Sequence, residues 1–150
     1  MSDKILFDPD KLSIVEIKII KDQIDAPEDF LIDKIEGYTI ENSLQLASNL
    51  KEKLIKADMK IDILTISNGL NTKEVTGSFH LLFIYRIENI DDLAIPDKNN
   101  IIVLHPSLGN ALSSITYSTS RGILITRVQG TALQSFILPV INPNKLFIDK

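Results

Sequence analysis

Apolar and polar residues alternate in two parts of this chain, around Ile17 and throughout residues 56–63. A period of two places successive side chains on opposite faces of a β-strand, and no amphipathic helix produces it. We therefore predict strands at about 12–24 and 52–67. The first strand ends at a proline-containing stretch, after which a crossover loop runs to Gly37.

Turn-forming residues follow the second of these strands. The dipeptide Asn68-Gly69 tolerates the positive φ angles that tight hairpins require. Beyond it, Phe79 and Phe83 share one face with other apolar residues, while the opposite face mixes polar and apolar side chains. We predict a strand at about 74–89 with a core on one side and a partly wet surface on the other.

The stretch between the first loop and residue 57 allows two interpretations. Leu46, Leu50 and Leu54 repeat at helical spacing, whereas residues 44–46 alternate between apolar and polar as a strand does. Because strict alternation follows directly, we favour a hairpin whose first strand covers about 38–49.

The spacing of apolar residues changes to a helical period after a loop rich in Pro, Asp and Asn. Pro106 suits the first turn of a helix, and Gly130 fits just beyond its end. We predict a long helix at about 106–128 and a short C-terminal helix, giving an α+β fold in a single domain over residues 1–150. A stripe of small residues along the long helix suits close approach to another backbone, either in an oligomer interface or in the chain's own sheet. The stripe consists of Ala111, Ser114, Ser118 and Gly122.

Composition narrows the classes of partner and compartment. The net charge of −4 and the pI near 5.1 argue against nucleic acid or anionic lipid, because either needs clustered Lys and Arg. The chain has no cysteine, which excludes disulfides and Cys-ligated zinc. Acidic residues stand where an export signal carries positive charge, and no apolar run approaches the ~18 residues that span a bilayer. We expect a cytoplasmic protein without membrane insertion.

The histidines and serines of the chain do not form any known catalytic or metal-binding motif. His80 and His105 have no metal-binding spacing, and the serines of residues 113–120 include no nucleophile motif. No glycine-rich phosphate loop or calcium loop occurs. We therefore predict no catalytic residue, no metal and no cofactor, which leaves binding as the default function.

Several segments, in their order along the chain, resemble the SecB family of protein-export chaperones. Lys21–Pro27 (KDQIDAP) resembles the family's first-strand signature, with one residue missing, and Leu46–Leu50 resembles its second strand. Pro106–Arg121 resembles its long helix, extended here by about seven residues, a length that preserves the helix face. Leu138–Phe147 resembles its Ala-Pro-Val-Asn-Phe ending.

The resemblance implies a four-stranded antiparallel sheet with helices on one face, assembled as a homotetramer that is a dimer of dimers. It also implies grooves that receive unfolded or precursor polypeptides, and delivery of these to the export motor ATPase through acidic first-strand residues. Asp22 and Asp25 match those residues, although a solvated strand end explains them as well. The chain stops at Lys150 without the family's acidic tail, so chaperoning is implied more firmly than motor docking.

Candidate residues for the polypeptide groove come from the crossover loop and the C-terminal segment. Each of them singly is better explained by burial in the core, as large apolar residues usually are, but their clustering beside a proline-broken loop indicates a groove. The candidates are Phe30, Leu31, Ile32, Ile35, Tyr38, Phe136, Ile137, Leu138 and Phe147.

The function that follows is an ATP-independent holding chaperone for unfolded polypeptides, for protein export. The alternative is an interaction protein with the same fold, dedicated to one specific partner such as an antitoxin. An enzyme is the third hypothesis and would need a polar pocket near His105 or Arg121.

Overall fold

The computed structural model describes residues 7–68 and 73–146 of the chain. A four-stranded antiparallel sheet in the order β1-β4-β3-β2 carries a long helix on one face. The strands are β1 (Leu12–Asp25), β2 (Ile35–Asn49), β3 (Leu54–Ser67) and β4 (Thr76–Ile87), followed by α1 (Ile90–Leu93), β5 (Ala94–Pro96), β6 (Ile102–Leu104) and α2 (Pro106–Arg127). Short 3₁₀ turns cover Pro9–Lys11, Ile32–Lys34 and Pro143–Leu146.

The α+β fold with its four strands and long helix is confirmed, including the hairpin at the ambiguous stretch. The C-terminal helix is a single 3₁₀ turn, Pro143–Leu146. The small antiparallel hairpin of β5 and β6 was not expected. Its strands are three residues long, too short for a period of two to be visible, and Pro96 ends the first of them.

The core lies between α2 and the face of β3 and β4 that we call the inner face. Every second side chain of these two central strands is buried there, as alternation predicts. Below α2 the buried phenol of Tyr85 shares a hydrogen bond of 2.6 Å with the hydroxyl of Thr116, and burial raises the pKa of Tyr85 to about 12. The inner-face residues are Ile55, Ala57, Met59, Ile61, Ile63, Phe79, Leu81, Phe83, Tyr85 and Ile87.

Both edge strands are less covered than the centre. In β1, Ile14, Ile17 and Ile19 lie opposite buried inner-face residues of β4, yet each remains exposed. Two β-bulges also interrupt β1, at residues 14–16 and 19–21. Bulges twist and bend an edge strand, and so oppose the addition of a further strand there.

We expect Gly77→Ala to lower the free energy of unfolding by about 1–3 kcal/mol, because the core has no room for the added methyl group. A Cβ at this position in β4 would lie 2.7 Å from Cδ1 of Leu133, which is itself fully buried. Urea denaturation measures the change. As a control, Gly109→Ala in α2 meets nothing within 4 Å and should raise stability by roughly 0.5–1 kcal/mol. A Gly77→Ala protein as stable as the parent would contradict this packing.

Candidate functional site

The crossover loop, residues 26–34, brings apolar side chains to the surface between β1 and β2. Leu31 is 57% exposed and Ile32 is also exposed. Phe30 and Tyr38 are half-buried and pack against the core, and Ile35 is half-buried. Of the predicted groove residues in this region, Leu31 and Ile32 are therefore the most accessible.

In the C-terminal segment, residues 136–141, the side chains alternate between the core and solvent from residue 136 to residue 139. Phe136 and Leu138 are only 2% and 1% exposed, whereas Ile137 is 62% exposed and Val140 is exposed further still. Phe136 and Leu138, predicted as groove residues, instead belong to the core, because an extended chain turns every second side chain inward. Phe147 lies outside the described residues.

The crossover loop and the C-terminal segment meet where β2 begins. The rings of Tyr38 and Phe136 lie edge to face, with centroids 5.0 Å apart and an interplanar angle of 76°. Partial burial raises the pKa of Tyr38, so its phenol stays neutral at physiological pH. This aromatic contact joins the two regions that the sequence predicted as one groove.

The outer edge of β2 carries backbone groups that no strand satisfies in the part of the chain that the structure describes. The direction of these groups follows from β3, where the Thr65 N–H donates to the Val75 carbonyl at 3.1 Å. Backbone groups alternate along a strand, so the neighbouring residue Leu64 directs its N–H and C=O toward β2, where it pairs with Thr39.

Thr39 in turn directs its N–H and C=O toward β3. The residues before and after it in β2 direct theirs outward, away from β3, and this alternation repeats along the strand. The outward residues are Tyr38, Ile40, Asn42, Leu44, Leu46 and Ser48. Tyr38 pairs across the ladder with the buried Thr65, and each of the others pairs with an inner-face residue of β3. Their side chains therefore lie on the side of the sheet that carries α2. Ile40 and Leu46 are partly buried there and pack against the core.

The edges of β1 and β2 differ in regularity. The pairing of β2 with β3 is continuous from Gly37 to Asn49, whereas two bulges interrupt β1. A continuous edge presents its N–H and C=O groups at the even spacing that an added strand requires. The β2 edge is thus the more regular template for an extended polypeptide.

The two acidic residues predicted for partner docking both have partners within the chain. Nε of Arg127, in the last turn of α2, donates to Oδ2 of Asp22 at 2.6 Å. The Asp25 carboxylate accepts a hydrogen bond of 2.8 Å from the Gln23 side chain on the same strand. Asp22 therefore links β1 to α2, whereas the partner of Asp25 lies on its own strand.

The stripe of small residues on α2 lies away from the sheet. Ser114, Ser118 and Gly122 are exposed and Ala111 is half-buried. The helix buries a different face against the sheet, formed by Leu108, Leu112, Ser113, Thr116, Tyr117, Ser120 and Leu124. The stripe therefore does not pack against the chain's own sheet.

Both histidines make structural contacts. His80 on the outer face of the sheet lies 2.8 Å from the Asp58 carboxylate, and Nδ1 of His105 accepts the Ser107 N–H at the start of α2. Across residues 7–68 and 73–146, no three acidic or histidine side chains cluster closely enough to hold a metal ion. The helices of these residues also include none that is long and apolar enough to cross a membrane.

A cleft of about 1170 Å³ lies at one end of the sheet, where the crossover loop passes the ends of β3 and β4. Its lining combines Phe30 and Leu31 with the carboxylates of Asp25, Glu28 and Glu74. Hydrogen bonds from the side chains of Thr65 and Ser67 lower the pKa of Glu74, so this carboxylate stays ionised. Sequence reasoning missed the cleft because its walls come from three separate parts of the chain.

Comparison with known proteins places this geometry in a known fold. No protein-family model and no curated protein sequence matches the chain. Among solved structures, the SecB-like chaperone Rv1957 of Mycobacterium tuberculosis, in complex with a ChAD peptide from the Rv1956 HigA1 antitoxin, superposes with a TM-score of 0.63. The sequences are 12% identical, and the match covers 89% of this chain and 92% of that one.

A protein of unknown function from Streptococcus agalactiae also matches, with a TM-score of 0.43 and 9% identity over 87% of this chain and 95% of that chain. The sheet order and the long helix described above agree with the superposition on Rv1957. This chain therefore has the SecB-like fold.

Proposed function

We propose that this chain is an ATP-independent holding chaperone that covers exposed apolar segments of unfolded polypeptides, which we call clients. The observation that carries the proposal is the continuous outer edge of β2, whose outward residues also turn partly exposed apolar side chains toward the side of α2. Such work needs binding and release but no catalytic residue, metal or cofactor. The fold that the chain shares with Rv1957 supports the same conclusion.

A client in extended conformation would add to β2 as a further strand. Its backbone would pair with the N–H and C=O groups of Ile40, Asn42, Leu44 and Leu46, while alternate side chains lie against the inner-face side of β2. Because backbone groups are common to all sequences, this mode accepts many clients.

Apolar surface near the start of this edge would add to the affinity. Leu31 and Ile32 extend it from the crossover loop, and Ile137 extends it from the C-terminal segment. Covering about 200 Å² of apolar surface would contribute roughly 5 kcal/mol before the entropic costs of association. Affinity should accordingly rise with the apolar content of the client.

A dedicated partner is the second candidate function. It is favoured by the structure of Rv1957, which was solved with a peptide from an antitoxin. Affinity purification from the native host distinguishes the two, because a generalist retains many precursors and a dedicated chaperone retains one protein. In the export role, the motor ATPase would be a further partner in the cytoplasm, and Asp25 would be better placed to meet it than Asp22, which is paired with Arg127.

The assembly that accompanies this function is proposed as a homotetramer, a dimer of dimers. Exposed Ile14, Ile17 and Ile19 of β1 and the small-residue stripe of α2 provide surfaces for contact between copies. Contiguous exposed apolar residues of this kind mark interaction surfaces in soluble proteins.

We expect Ser118→Arg to reduce the tetramer to a smaller species, because a long cation in the centre of the stripe prevents close approach of two helices. Native mass spectrometry measures the oligomeric state. Gln134→Arg adds the same charge at an exposed position beyond α2 and should leave the assembly intact. A Ser118→Arg protein with the parent's mass would rule out the stripe as an interface.

The proposed function is tested by light scattering of a chemically denatured model protein after dilution. We expect this chain, without nucleotide, to delay aggregation in proportion to its concentration. A matched concentration of an unrelated acidic protein serves as the control. Aggregation at the same rate with this chain and with the control, for several model proteins, would refute the general chaperone.

A further inference from the structure

We propose that Tyr117 and Arg121 are positioning residues for client binding, because they fix which side chains of the C-terminal segment face outward. The inference rests on the proposed function and assigns a role to two residues of α2 that do not themselves line the β2 edge.

The two side chains donate hydrogen bonds to the backbone of the C-terminal segment at two successive residues. The Tyr117 hydroxyl donates to the Pro139 carbonyl at 2.6 Å. Nε of Arg121 donates to the Leu138 carbonyl at 2.9 Å, and Nη2 donates to the Pro139 carbonyl at 3.2 Å. Residues four apart share one face of a helix, and the guanidinium carbon of Arg121 lies 5.3 Å from the centre of the Tyr117 ring.

All three hydrogen bonds end on backbone carbonyls, so they fix position along the chain whatever the side chains are. In an extended segment, a slip of one residue exchanges the inward and outward side chains. With the carbonyls of Leu138 and Pro139 held, Phe136 and Leu138 point into the core and Ile137 points to solvent.

The side chains of this segment make part of the choice between the two registers. A slip of one residue would still bury Ile137, with Ser135 or Pro139 as the second inward residue. The Phe136 N–H also donates to the Leu133 carbonyl at 2.8 Å. The bonds from Tyr117 and Arg121 add to this preference at the two residues that follow Ile137. The Tyr117–Arg121 pair is the set of side chains that makes such bonds at Leu138 and Pro139.

The functional consequence concerns the C-terminal segment where it lies beside the start of β2. Phe136 in its inward position meets Tyr38, and Ile137 beside it offers a branched aliphatic side chain to clients. In the slipped register Phe136 would leave Tyr38, and the contact between the two halves of the groove would be lost. The pair thus acts on client affinity through the segment that it holds.

Thiol labelling tests the register directly, because the chain contains no cysteine of its own. In a Leu138→Cys protein the thiol should react slowly, and Tyr117→Phe or Arg121→Gln should raise its rate about tenfold by removing hydrogen bonds that hold the segment. Leu81→Cys, buried in β4, is the control. Its rate should stay the same, whereas general destabilisation would raise both rates together.

A double-mutant cycle then links the register to clients. The probe is a synthetic extended peptide of alternating Ile and Ser, and the readout is its Kd. Ile137→Ser should weaken binding in the parent chain and have a much smaller effect in the Arg121→Gln background.

The inference is overturned if Leu138→Cys labelling is unchanged by both substitutions, if it rises only together with Leu81→Cys, or if Ile137→Ser has the same effect in both backgrounds. If the parent chain does not bind the peptide at all, the proposed function fails. The client role assigned here then fails with it, while the labelling still reports what holds the register.

Discussion

Two versions of a client peptide, one N-methylated at its odd-numbered residues and one at its even-numbered residues, are expected to differ in binding. One of these two phases of methylation should abolish binding, and the other should leave it intact. The probe is a synthetic peptide of about nine residues with alternating apolar and polar side chains, a length typical of a strand. If it adds to β2, its inward-pointing amides pair with the outward carbonyls of Ile40, Asn42, Leu44 and Leu46. Removing three or four of these bonds should weaken binding by about a hundredfold or more.

The alternation of the peptide fixes which amides face β2 for a given strand direction. A shift of one residue along β2 would turn all apolar side chains away from the inner-face side, so the peptide cannot recover its bonds by slipping. In an antiparallel client the amides of the apolar residues are the sensitive ones, and in a parallel client those of the polar residues are. The unmethylated peptide and the two methylated peptides are compared by fluorescence anisotropy. Equal loss with both methylated peptides would show that the surface recognises side chains without pairing to the backbone, and no loss with either would contradict pairing in a single strand direction.

We expect Phe136→Ala to lower the free energy of unfolding by about 3–5 kcal/mol, the usual cost of removing a buried aromatic side chain. Phe136 is 2% exposed and lies edge to face against Tyr38. Its neighbour Ile137 is 62% exposed, so Ile137→Ala should change stability by less than about 0.5 kcal/mol. The pair of variants is compared by urea denaturation.

The same two variants separate the core from the client surface. Ile137→Ala should weaken client binding although it leaves the fold intact. If instead Ile137→Ala destabilises the chain as much as Phe136→Ala does, the C-terminal segment lies in the opposite register and its description here is wrong.

Sequence patterns predicted the sheet because the alternating runs are long enough to be distinctive. The alternation over residues 56–63 identifies β3, and it also decides the hairpin at residues 38–49 against a helix. The hairpin of β5 and β6 has no such signal, since three residues per strand are fewer than two periods.

The candidate site was less accessible to sequence reasoning. Phe136, Ile137 and Leu138 are all apolar, so no pattern indicates which of them face the core. Their register depends on hydrogen bonds from Tyr117 and Arg121, which are distant in sequence. One signal was available, since proline at position 139 favours an extended, non-helical backbone at Leu138, the residue before it.

The edge position of β2 was also invisible, because side-chain alternation shows the faces of a strand and not its neighbours in the sheet. The two bulges of β1 did leave a signal, since the apolar doublets Ile14-Val15 and Ile19-Ile20 break the alternation where the register shifts. The order of strands, which exposes β2 on one side, follows only from the packed structure.

The central claim, that clients are held on the free edge of β2, is tested most directly by residue-resolved amide exchange with and without a permanently unfolded client. In the free chain the amides of Glu41, Ser43 and Gln45 should already be protected by β3, and those of Ile40, Asn42 and Leu46 should exchange faster. We predict that a bound client slows exchange at Ile40, Asn42 and Leu46 and leaves the other three unchanged. A client that binds while these outward amides exchange as before would contradict the claim.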